Sequence, residues 1–348
     1  MPSVFPILKL PPKGSSAAPC LGHRLVDGYL ELVAARLRPN STLAVAYDLK
    51  VFFTVVGKDP TAVTRADIVG FVREQRSPRG DGDATVVRIT DGSAGLALST
   101  VRRRLSTLSG FYNHLVALGE VESNPVHRGM AVRSPVLKGK RVVPLVRAVR
   151  HLPRVLDPTE VIALIGGLRK HRDRAIVEAM LLAGLRRSEA LGLRMADLGW
   201  GERRLFIAEG KGGHQRLVPI SSRFFTTLRA YLDTERPADA MTDRVFVVLK
   251  GPNRGQPLSA KGLEEIITGA RNRVGLTHGT CHELRHTCFT RLREAGMSLE
   301  ALQAQAGHRS MSATQVYLHL ANDWLAGEYK RAAQAIDAQG HLGEGRAS

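Results

Sequence analysis

"GTCHELRHTCFTRLREAGMSLEALQAQAGHRSMSATQVYLH", the stretch at residues 279–319, gathers several reactive side chains into one segment. His282 is followed by Arg285, and His308 is followed by Tyr317. Such a set is compatible with a metal site, with a packed core or with a catalytic site. The spacing of these residues and the motifs upstream of them decide among the three.

A metal site fits this spacing poorly. Cys281, His282, His286 and Cys288 carry the right atoms for zinc, but no second ligand pair matches them at a zinc-site spacing. His282 and His286, four residues apart on a predicted helix, are the pair that could bind a metal together. We therefore predict no metal and no other cofactor. The two cysteines are assigned no chemical role, and His286 and His319 are interpreted as helix-surface or packing residues.

The composition indicates a nucleic-acid partner. Among 348 residues, 50 are Lys or Arg and 32 are Asp or Glu, which gives a net charge of +18. Such an excess usually serves a polyanion, and nucleic acid is the first candidate. A solvated basic surface and a surface that meets anionic membranes are the alternatives. Hydrophobic residues make up 43% of the chain, as in globular proteins, and the length suggests two domains.

The cysteines and the apolar segments predict a cytoplasmic protein with no membrane span. Three cysteines, an odd number without framework spacing, fit a reducing compartment. Prolines interrupt the apolar residues near the start, so no signal peptide is predicted. No run of about eighteen apolar residues is present to cross a membrane.

Residues 23–128 have the apolar periodicity of a small helical bundle. Apolar residues recur at three- and four-residue spacing in about four segments, the last of them at 99–119. The Pro-, Ser- and Gly-rich residues 1–22 predict a loose tail. The Gly- and Asp-rich residues 77–95 predict a long exposed loop within the bundle.

Residues 129–153 predict a basic linker between the two domains. Residues 131–154 hold seven Lys or Arg and no Asp or Glu, and their prolines argue against one regular element. A segment of this kind can lie along a phosphate backbone, although a plain solvated linker has the same composition. The predicted DNA-contacting residues of the linker and of the first domain are Lys138, Lys140, Arg141, Arg102 and Arg103.

Residues 154–335 predict a second domain that is mainly helical, followed by a flexible tail at 336–348. Short strands are expected at 205–207 and 216–220, joined by a hairpin whose tip is Gly-Lys-Gly-Gly. The segment "RVFVVLK", residues 244–250, predicts a third strand or a short extended piece. The domain therefore combines helices with a small antiparallel sheet.

The order of motifs along the second domain favours a catalytic site for an anion. "GLRRSE" places a glutamate three residues after an arginine, and "EGKGGHQRLVP" places a lysine on the hairpin tip. "HELRHT" and "GHRSMSATQVY" follow in that order. His282 and Arg285 share a helix face near a helix N-terminus, where anions bind well. The residues of the whole set are Arg186, Glu189, Lys211, His282, Arg285, His308 and Tyr317.

This order resembles the tyrosine recombinases, the integrase family that includes Xer recombinases, Cre and phage integrases. Every member of the family's Arg–Lys–His-x-x-Arg–His–Tyr set has a counterpart, and the residues around each counterpart match as well. The resemblance is strong over residues 150–330 and looser over the first domain. It implies a mainly α fold with a small antiparallel sheet, in which a helical core-binding domain and an α+β catalytic domain form a C-shaped DNA clamp.

The resemblance also implies a role for each residue. Tyr317 is the expected nucleophile, which attacks a DNA phosphodiester and forms a 3′-phosphotyrosine. Arg186 and Arg285 are expected to clamp the phosphate oxygens, because the planar guanidinium is always charged and can bond two oxygens. A free tyrosine has a pKa near about 10, so nearby cations are needed to favour its phenolate.

The remaining roles concern proton transfer and support. Lys211 is expected to protonate the leaving 5′-oxygen, and His282 to act as a general base or a hydrogen-bond partner. His308 is expected to bond a phosphate oxygen, and Glu189 to orient Arg186 or His282. Surface, capping or packing positions are the alternative for each.

The partner implied by the resemblance is double-stranded DNA with an inverted-repeat recombination site. Four protomers are expected to exchange strands on two sites through a Holliday junction, without ATP or metal, in integration, excision or resolution. A partner recombinase can be part of that tetramer. Two other functions stay open: a type IB topoisomerase or telomere resolvase with the same residues, and a non-catalytic DNA-binding regulator on this scaffold.

Overall fold

The computed structural model describes two compact units, residues 1–150 and 151–348. Lys138, Lys211 and His308 lie outside the described residues. For the strands at 130–133 and 140–143 the description covers the backbone alone. The described residues are 5–12, 15, 17–77, 95–126, 130–133, 140–143, 153–208, 215–307, 314–315, 317 and 330.

The described part of the first unit is a helical bundle, as the apolar periodicity predicts. Edge-to-face aromatic pairs fill its core: the ring centroids of Phe52 and Phe71 lie 5.0 Å apart, and those of Phe53 and Phe111 lie 5.9 Å apart. A single 3₁₀ turn at Pro60–Ala62 separates the second and third helices. The α-helices are α1 (Arg24–Arg36), α2 (Pro39–Val56), α3 (Arg65–Arg76) and α4 (Leu98–Ala117).

The segment before α1 packs on this bundle, which differs from the loose tail predicted for residues 1–22. Lys9 and Cys20 exchange backbone hydrogen bonds of 2.9 and 3.1 Å. Leu21 is fully buried, and the Phe5 ring lies 5.0 Å from that of Phe53. Burial of these two apolar side chains holds a segment whose Pro, Ser and Gly content favours a coil.

Two short strands lie within the predicted linker. β1 (Met130–Arg133) and β2 (Lys140–Val143) pair antiparallel, with Met130 opposite Val143. The prolines of this segment argue against one continuous regular element, and two short strands are compatible with that prediction. Pro135 and Pro144 lie outside both strands, so neither proline interrupts the backbone pairing.

The described part of the second unit combines helices with a three-stranded antiparallel sheet, as predicted. The strands are β3 (Leu198–Gly199), β4 (Arg204–Ile207) and β5 (Arg216–Pro219), in that spatial order. The helices are α5 (Pro158–Gly166), α6 (His171–Ala183), α7 (Arg187–Gly192), α8 (Ser222–Thr234), α9 (Ala260–Arg273), α10 (Cys281–Glu294) and α11 (Leu299–Ala306).

The third strand is not the segment 244–250. That segment makes isolated bridges, from Arg244 to Arg194 and from Val247 to Pro257. Val245, Phe246 and Val247 are fully buried, so the β-prone pattern reflects burial in the core and not a place in the sheet. No described helix is long and apolar enough to cross a membrane.

α6 is the central helix of the second unit and packs against α8 and α10. It is buried along nearly its whole length, and its buried residues include the charged Arg172, Asp173 and Glu178. It ends at Gly184, whose φ of 67° is left-handed. A Cβ on Gly184 would lie 2.4 Å from the ring of Phe289 in α10, so glycine is required here both for backbone conformation and for space.

Replacing Gly184 by alanine tests this close approach. The left-handed backbone costs about 1–2 kcal/mol with any side chain, and the clash with Phe289 adds about 1–3 kcal/mol. The matched control is Gly275→Ala, because Gly275 has φ +70 and nothing within 4 Å of an added Cβ. Urea unfolding followed by fluorescence reports on this unit, since both tryptophans, Trp200 and Trp324, lie in it. Equal losses in the two variants would contradict the packing constraint.

Candidate active site

Glu189, in the first turn of α7, is the buried carboxylate around which the site is built. Arg186 is the N-cap of this helix, and its backbone N–H donates to Glu189 Oε2 at 2.9 Å. The Nη1 atom of Arg186 donates to Oε1 at 2.7 Å. The three-residue spacing of the "RRSE" motif therefore closes a helix cap and orients the arginine side chain at the same time.

Arg216, from β5, binds the same carboxylate. Its Nη1 and Nη2 donate to Oε1 and Oε2 of Glu189 at 3.1 and 2.9 Å, a bidentate pair. Its Nε donates to the carbonyl of Gln305 at 3.1 Å. Gln305 in turn donates to the carbonyls of Ala183 and Pro219. This network joins the sheet, α6, α7 and α11.

The charge of Glu189 depends on these partners. Burial by itself would raise the pKa of the carboxyl group. The hydrogen bonds from Arg216 and from the Arg186 backbone, with the charges of both arginines, outweigh burial and lower the pKa to about 2. Glu189 is therefore ionised throughout the physiological range.

Arg285 projects from α10 and is 4% exposed. Its Nη1 donates to the carbonyl of Gly184, and its Nη2 donates to that of Ala306 at 2.8 Å. The guanidinium carbon lies 4.7 Å from the centre of the Phe289 ring, within cation–π range. Burial and the neighbouring Arg186 lower the pKa of Arg285 to about 10, which leaves it charged at neutral pH.

His282 and His286 lie one helical turn apart on the same face of α10. Their Nε2 atoms are 2.8 Å apart, and their rings are nearly perpendicular, at 82°. Burial, followed by the charges of Arg285 and Arg186, lowers the pKa of His282. His282 is consequently a neutral imidazole at pH 7. His286 is buried, which agrees with the packing alternative of its interpretation and excludes the helix-surface alternative.

Tyr317 packs between two rings of α10. Its ring centroid lies 5.6 Å from that of His286 and 5.3 Å from that of Phe289. The side chain is 1% exposed. Burial raises the pKa of Tyr317 to about 12, although the charges of Arg285 and Arg186 act in the opposite direction. The phenol is therefore protonated at neutral pH.

The side chains of Arg186, His282, Arg285, His286 and Tyr317 line one open cleft of about 770 Å³. Four arginines border it, and the one carboxylate among its described lining residues, Glu264, is paired with Arg187 at 3.0 Å. A cleft with this charge suits a phosphate group. The lining residues are Arg186, Arg187, Ser188, Glu264, Ile267, Thr268, Arg271, Thr280, Cys281, His282, Arg285, His286 and Tyr317.

The structure thus brings together four of the six predicted catalytic residues, Arg186, His282, Arg285 and Tyr317, with their predicted support. The other two, Lys211 and His308, fall outside the described residues and stay predictions. Within the described ranges, no group of three or more His, Cys, Asp or Glu side chains could hold a metal ion. Cys281 lines the cleft, and burial raises the pKa of its thiol.

The predicted DNA-contacting residues are only partly described. Arg102 is exposed on α4. Arg103 is half exposed and donates to Asp48, a buried carboxylate that also accepts from Thr107 at 3.0 Å. Arg103 therefore has a partner within the bundle. Of the linker residues, Lys138 lies outside the description, and the side chains of Lys140 and Arg141 in β2 do as well.

Three participants were not predicted from the sequence: Arg216, Gln305 and His286. Arg216 is one of many arginines, and only the fold shows that it faces Glu189. Gln305 looks like an ordinary polar residue of α11. His286 did carry a signal, because a spacing of four residues from His282 places two rings on one helix face.

The cleft has the charge that suits a phosphate group and holds a candidate tyrosine nucleophile, and the chain is similar to several known proteins. The sequence profile of the Phage integrase family matches residues 154–323. A tyrosine recombinase XerD of Lacticaseibacillus casei is 34% identical over 247 residues, which cover 68% of this chain and 77% of that protein. A tyrosine recombinase of Thermosipho africanus is 28% identical over 305 residues, which cover 86% of this chain and 96% of that protein.

The chain belongs to the tyrosine recombinase family, and the resemblance drawn from its motifs is confirmed. Solved structures share the fold. A lambda integrase dimer bound to a COC′ core site gives a TM-score of 0.61 at 18% identity, covering 86% of this chain and 95% of that one. The XerH recombinase bound to a palindromic difH substrate gives 0.61 at 19% identity, covering 89% and 84%.

Replacing Glu189 by glutamine tests the role of its charge. Its folded-state pKa lies below the ordinary 4.5, so ionised Glu189 stabilises the protein above about pH 4.5, and this stabilisation is lost as the pH falls towards 2. The shift corresponds to about 3 kcal/mol. We expect Glu189→Gln to lower the free energy of unfolding by about 3–5 kcal/mol at pH 7, because arginines lose a buried partner. The deficit should shrink between pH 5 and pH 2.

The control for this experiment is Glu178→Gln. Glu178 is also buried, but its partner Arg223 has a side chain that is 64% exposed, so water can replace the lost carboxylate. We expect a smaller loss of stability at pH 7. A deficit for Glu189→Gln that stays constant from pH 7 to pH 2 would contradict the charge-based account.

Proposed function

We propose that this chain is a site-specific recombinase that cuts and rejoins duplex DNA through a covalent bond between Tyr317 and a 3′-phosphate. The observation that carries the proposal is the convergence of Arg186, His282, Arg285 and Tyr317 on one cationic cleft. Three separate segments of the chain supply these residues, in the order that is typical of the family.

The two arginines suit the phosphate. Each is held by its own contacts within the protein, Arg186 by Glu189 and Arg285 by the carbonyls of Gly184 and Ala306. Their positions are therefore set before DNA arrives. Donors that need no reorganisation stabilise the charge of a phosphoryl transition state most effectively.

Tyr317 performs the attack. Its oxygen forms a bond to phosphorus while the bond from phosphorus to the 5′-oxygen breaks. The phenol proton leaves to His282 or to solvent, and Lys211 gives a proton to the departing 5′-oxygen. His308 bonds a phosphate oxygen. Religation reverses these steps, so the energy of the phosphodiester is kept in the phosphotyrosine and no ATP is consumed.

The assembly follows from the reaction. Strand exchange needs two duplexes and four cleavages, which favours four protomers on two inverted-repeat sites, with or without a partner recombinase. We propose that the first unit, through Arg102 and Arg103, and the basic linker, through Lys138, Lys140 and Arg141, contact the backbone of the duplex that the catalytic unit cuts. Action on DNA in the cytoplasm agrees with the reduced cysteines.

Removal of the nucleophile tests the proposed function. Fragments of the DNA that flanks the coding region, each nicked to trap the intermediate, are incubated with the protein and analysed under denaturing conditions. The native chain is expected to form a covalent protein–DNA adduct on one fragment, and Tyr317→Phe none. Tyr47→Phe, which changes an exposed tyrosine of the first unit, is the control and should form the adduct normally.

The same experiment separates the alternative functions. An adduct that persists in Tyr317→Phe, or the absence of any adduct with the native chain, would contradict the proposal. Relaxation of supercoiled plasmids without regard to sequence would favour a topoisomerase. Sequence-specific binding with no cleavage would favour a regulator.

Comparison of the adjacent arginines Arg186 and Arg187 tests the assignment of the clamp. We expect Arg186→Ala to lower the rate of adduct formation by about 10²–10³-fold, the usual effect of losing one donor to a developing oxyanion. Arg187→Ala removes an exposed arginine that pairs with exposed Glu264, so the cleavage rate should change little. Equal losses in the two variants would show that net charge, and not the position of Arg186, is what the reaction requires.

A further inference from the structure

His286 connects the candidate catalytic histidine to the nucleophile. Its Nε2 lies 2.8 Å from Nε2 of His282, and its ring centroid lies 5.6 Å from that of Tyr317. Phe289, one turn further along α10, contacts the other side of Tyr317 at 5.3 Å. His282, His286 and Phe289 thus lie on one face of α10, and the rings of His286 and Phe289 contact the ring of Tyr317.

The short distance between the two rings links their protonation states. Two imidazole nitrogens at 2.8 Å form one hydrogen bond, in which one nitrogen donates and the other accepts. Two N–H groups, or two lone pairs, would repel each other at this distance. A neutral His282 with its Nε2 as acceptor must therefore carry its own proton on Nδ1.

We propose that His286 is a positioning residue that donates its Nε2–H to Nε2 of His282 and so fixes His282 as the Nδ1–H tautomer. The reason for this direction is the cationic cleft that His282 lines, whose charge suits an anion. With His286 as donor, His282 offers a phosphate oxygen an N–H group. With the opposite direction, His282 would offer a lone pair, which a phosphate oxygen repels.

This inference rests on the proposed function, because the phosphate is what the Nδ1–H group would meet. It deepens that function by choosing between two roles for His282. With Nε2 occupied and Nδ1 protonated, His282 donates a hydrogen bond to the phosphate and does not act as the base that accepts the phenol proton.

The tautomer of His282 can be measured without DNA. Nitrogen NMR of the full chain, with ¹⁵N-labelled histidine at neutral pH, distinguishes Nδ1–H from Nε2–H rings. His282→Asn and His286→Phe assign the two signals. We expect the Nδ1–H form of His282 in the native chain and a shift to the Nε2–H form in His286→Phe. An Nε2–H form of His282 in the native chain would overturn the proposal.

Cleavage kinetics provide the second measurement. His286→Phe keeps an aromatic ring against Tyr317 but removes the donor, so we expect adduct formation to slow by about 10–100-fold with DNA affinity unchanged. His286→Gln keeps an N–H donor and should recover most of the rate. Near-native thermal unfolding of both variants excludes simple misfolding.

A double-mutant cycle separates positioning from a purely structural role. If His286 acts through His282, then His286→Phe should cause no further loss in a His282→Asn background. Losses that add fully would overturn the proposal. If the native chain forms no adduct on any fragment, the proposed function fails, whereas the NMR measurement still decides whether His286 sets the tautomer of His282.

Discussion

Glu189 accepts hydrogen bonds from two arginines that come from different parts of the chain, and a third, Arg285, lies 3.9 Å from it. A buried carboxylate without partners costs several kcal/mol, and so does a buried guanidinium. None of these groups can therefore leave the cluster without leaving a charge unpaired. The start of α7, the strand β5 and the helix α10 are held together by this constraint, which also fixes the two sides of the cleft that α7 and α10 supply.

α10 sets the spacing of the candidate catalytic side chains along the cleft. Side chains three and four residues apart share one face of a helix, so His282, Arg285, His286 and Phe289 form one continuous surface. The helix is held at this point by the carbonyls of Gly184 and Ala306, which accept from Arg285. Gly184 has no side chain, and Phe289 fills that space. Gly184, Arg285 and Phe289 thus fix how closely α10 packs against the end of α6. This packing in turn sets the positions of the two histidines and of Tyr317.

Much of this site was predictable from the sequence, because its members occur in motifs of fixed local spacing. Arg186 and Glu189 close a helix cap, and His282 and Arg285 lie on one turn, so local geometry alone relates each pair. Arg216 was not predictable, because it reaches Glu189 only through the pairing of β4 with β5. Of the two alternatives for 244–250, the sequence could not exclude the third strand for a related reason: a short apolar run shows that a segment is buried and does not show what it pairs with. The packing of residues 5–12 on the first unit likewise depends on contacts distant in sequence.

The net charge of the cluster matches the charge of the transition state better than it matches the charge of the DNA phosphodiester. Arg186, Arg216 and Arg285 with one ionised glutamate leave two net positive charges beside the cleft. A phosphodiester carries one negative charge, and attack by a phenolate oxygen adds a second in the transition state. A site with two positive charges therefore stabilises the transition state more than the ground state, which is the condition for catalysis. Glu189 is important to this balance, because without it three neighbouring arginines, of which Arg285 is buried, would repel one another, and with a second carboxylate the preference for the dianion would fall. Burial raises the pKa of Tyr317, the candidate nucleophile, to about 12, so the phenol is protonated at neutral pH and must lose its proton during the attack.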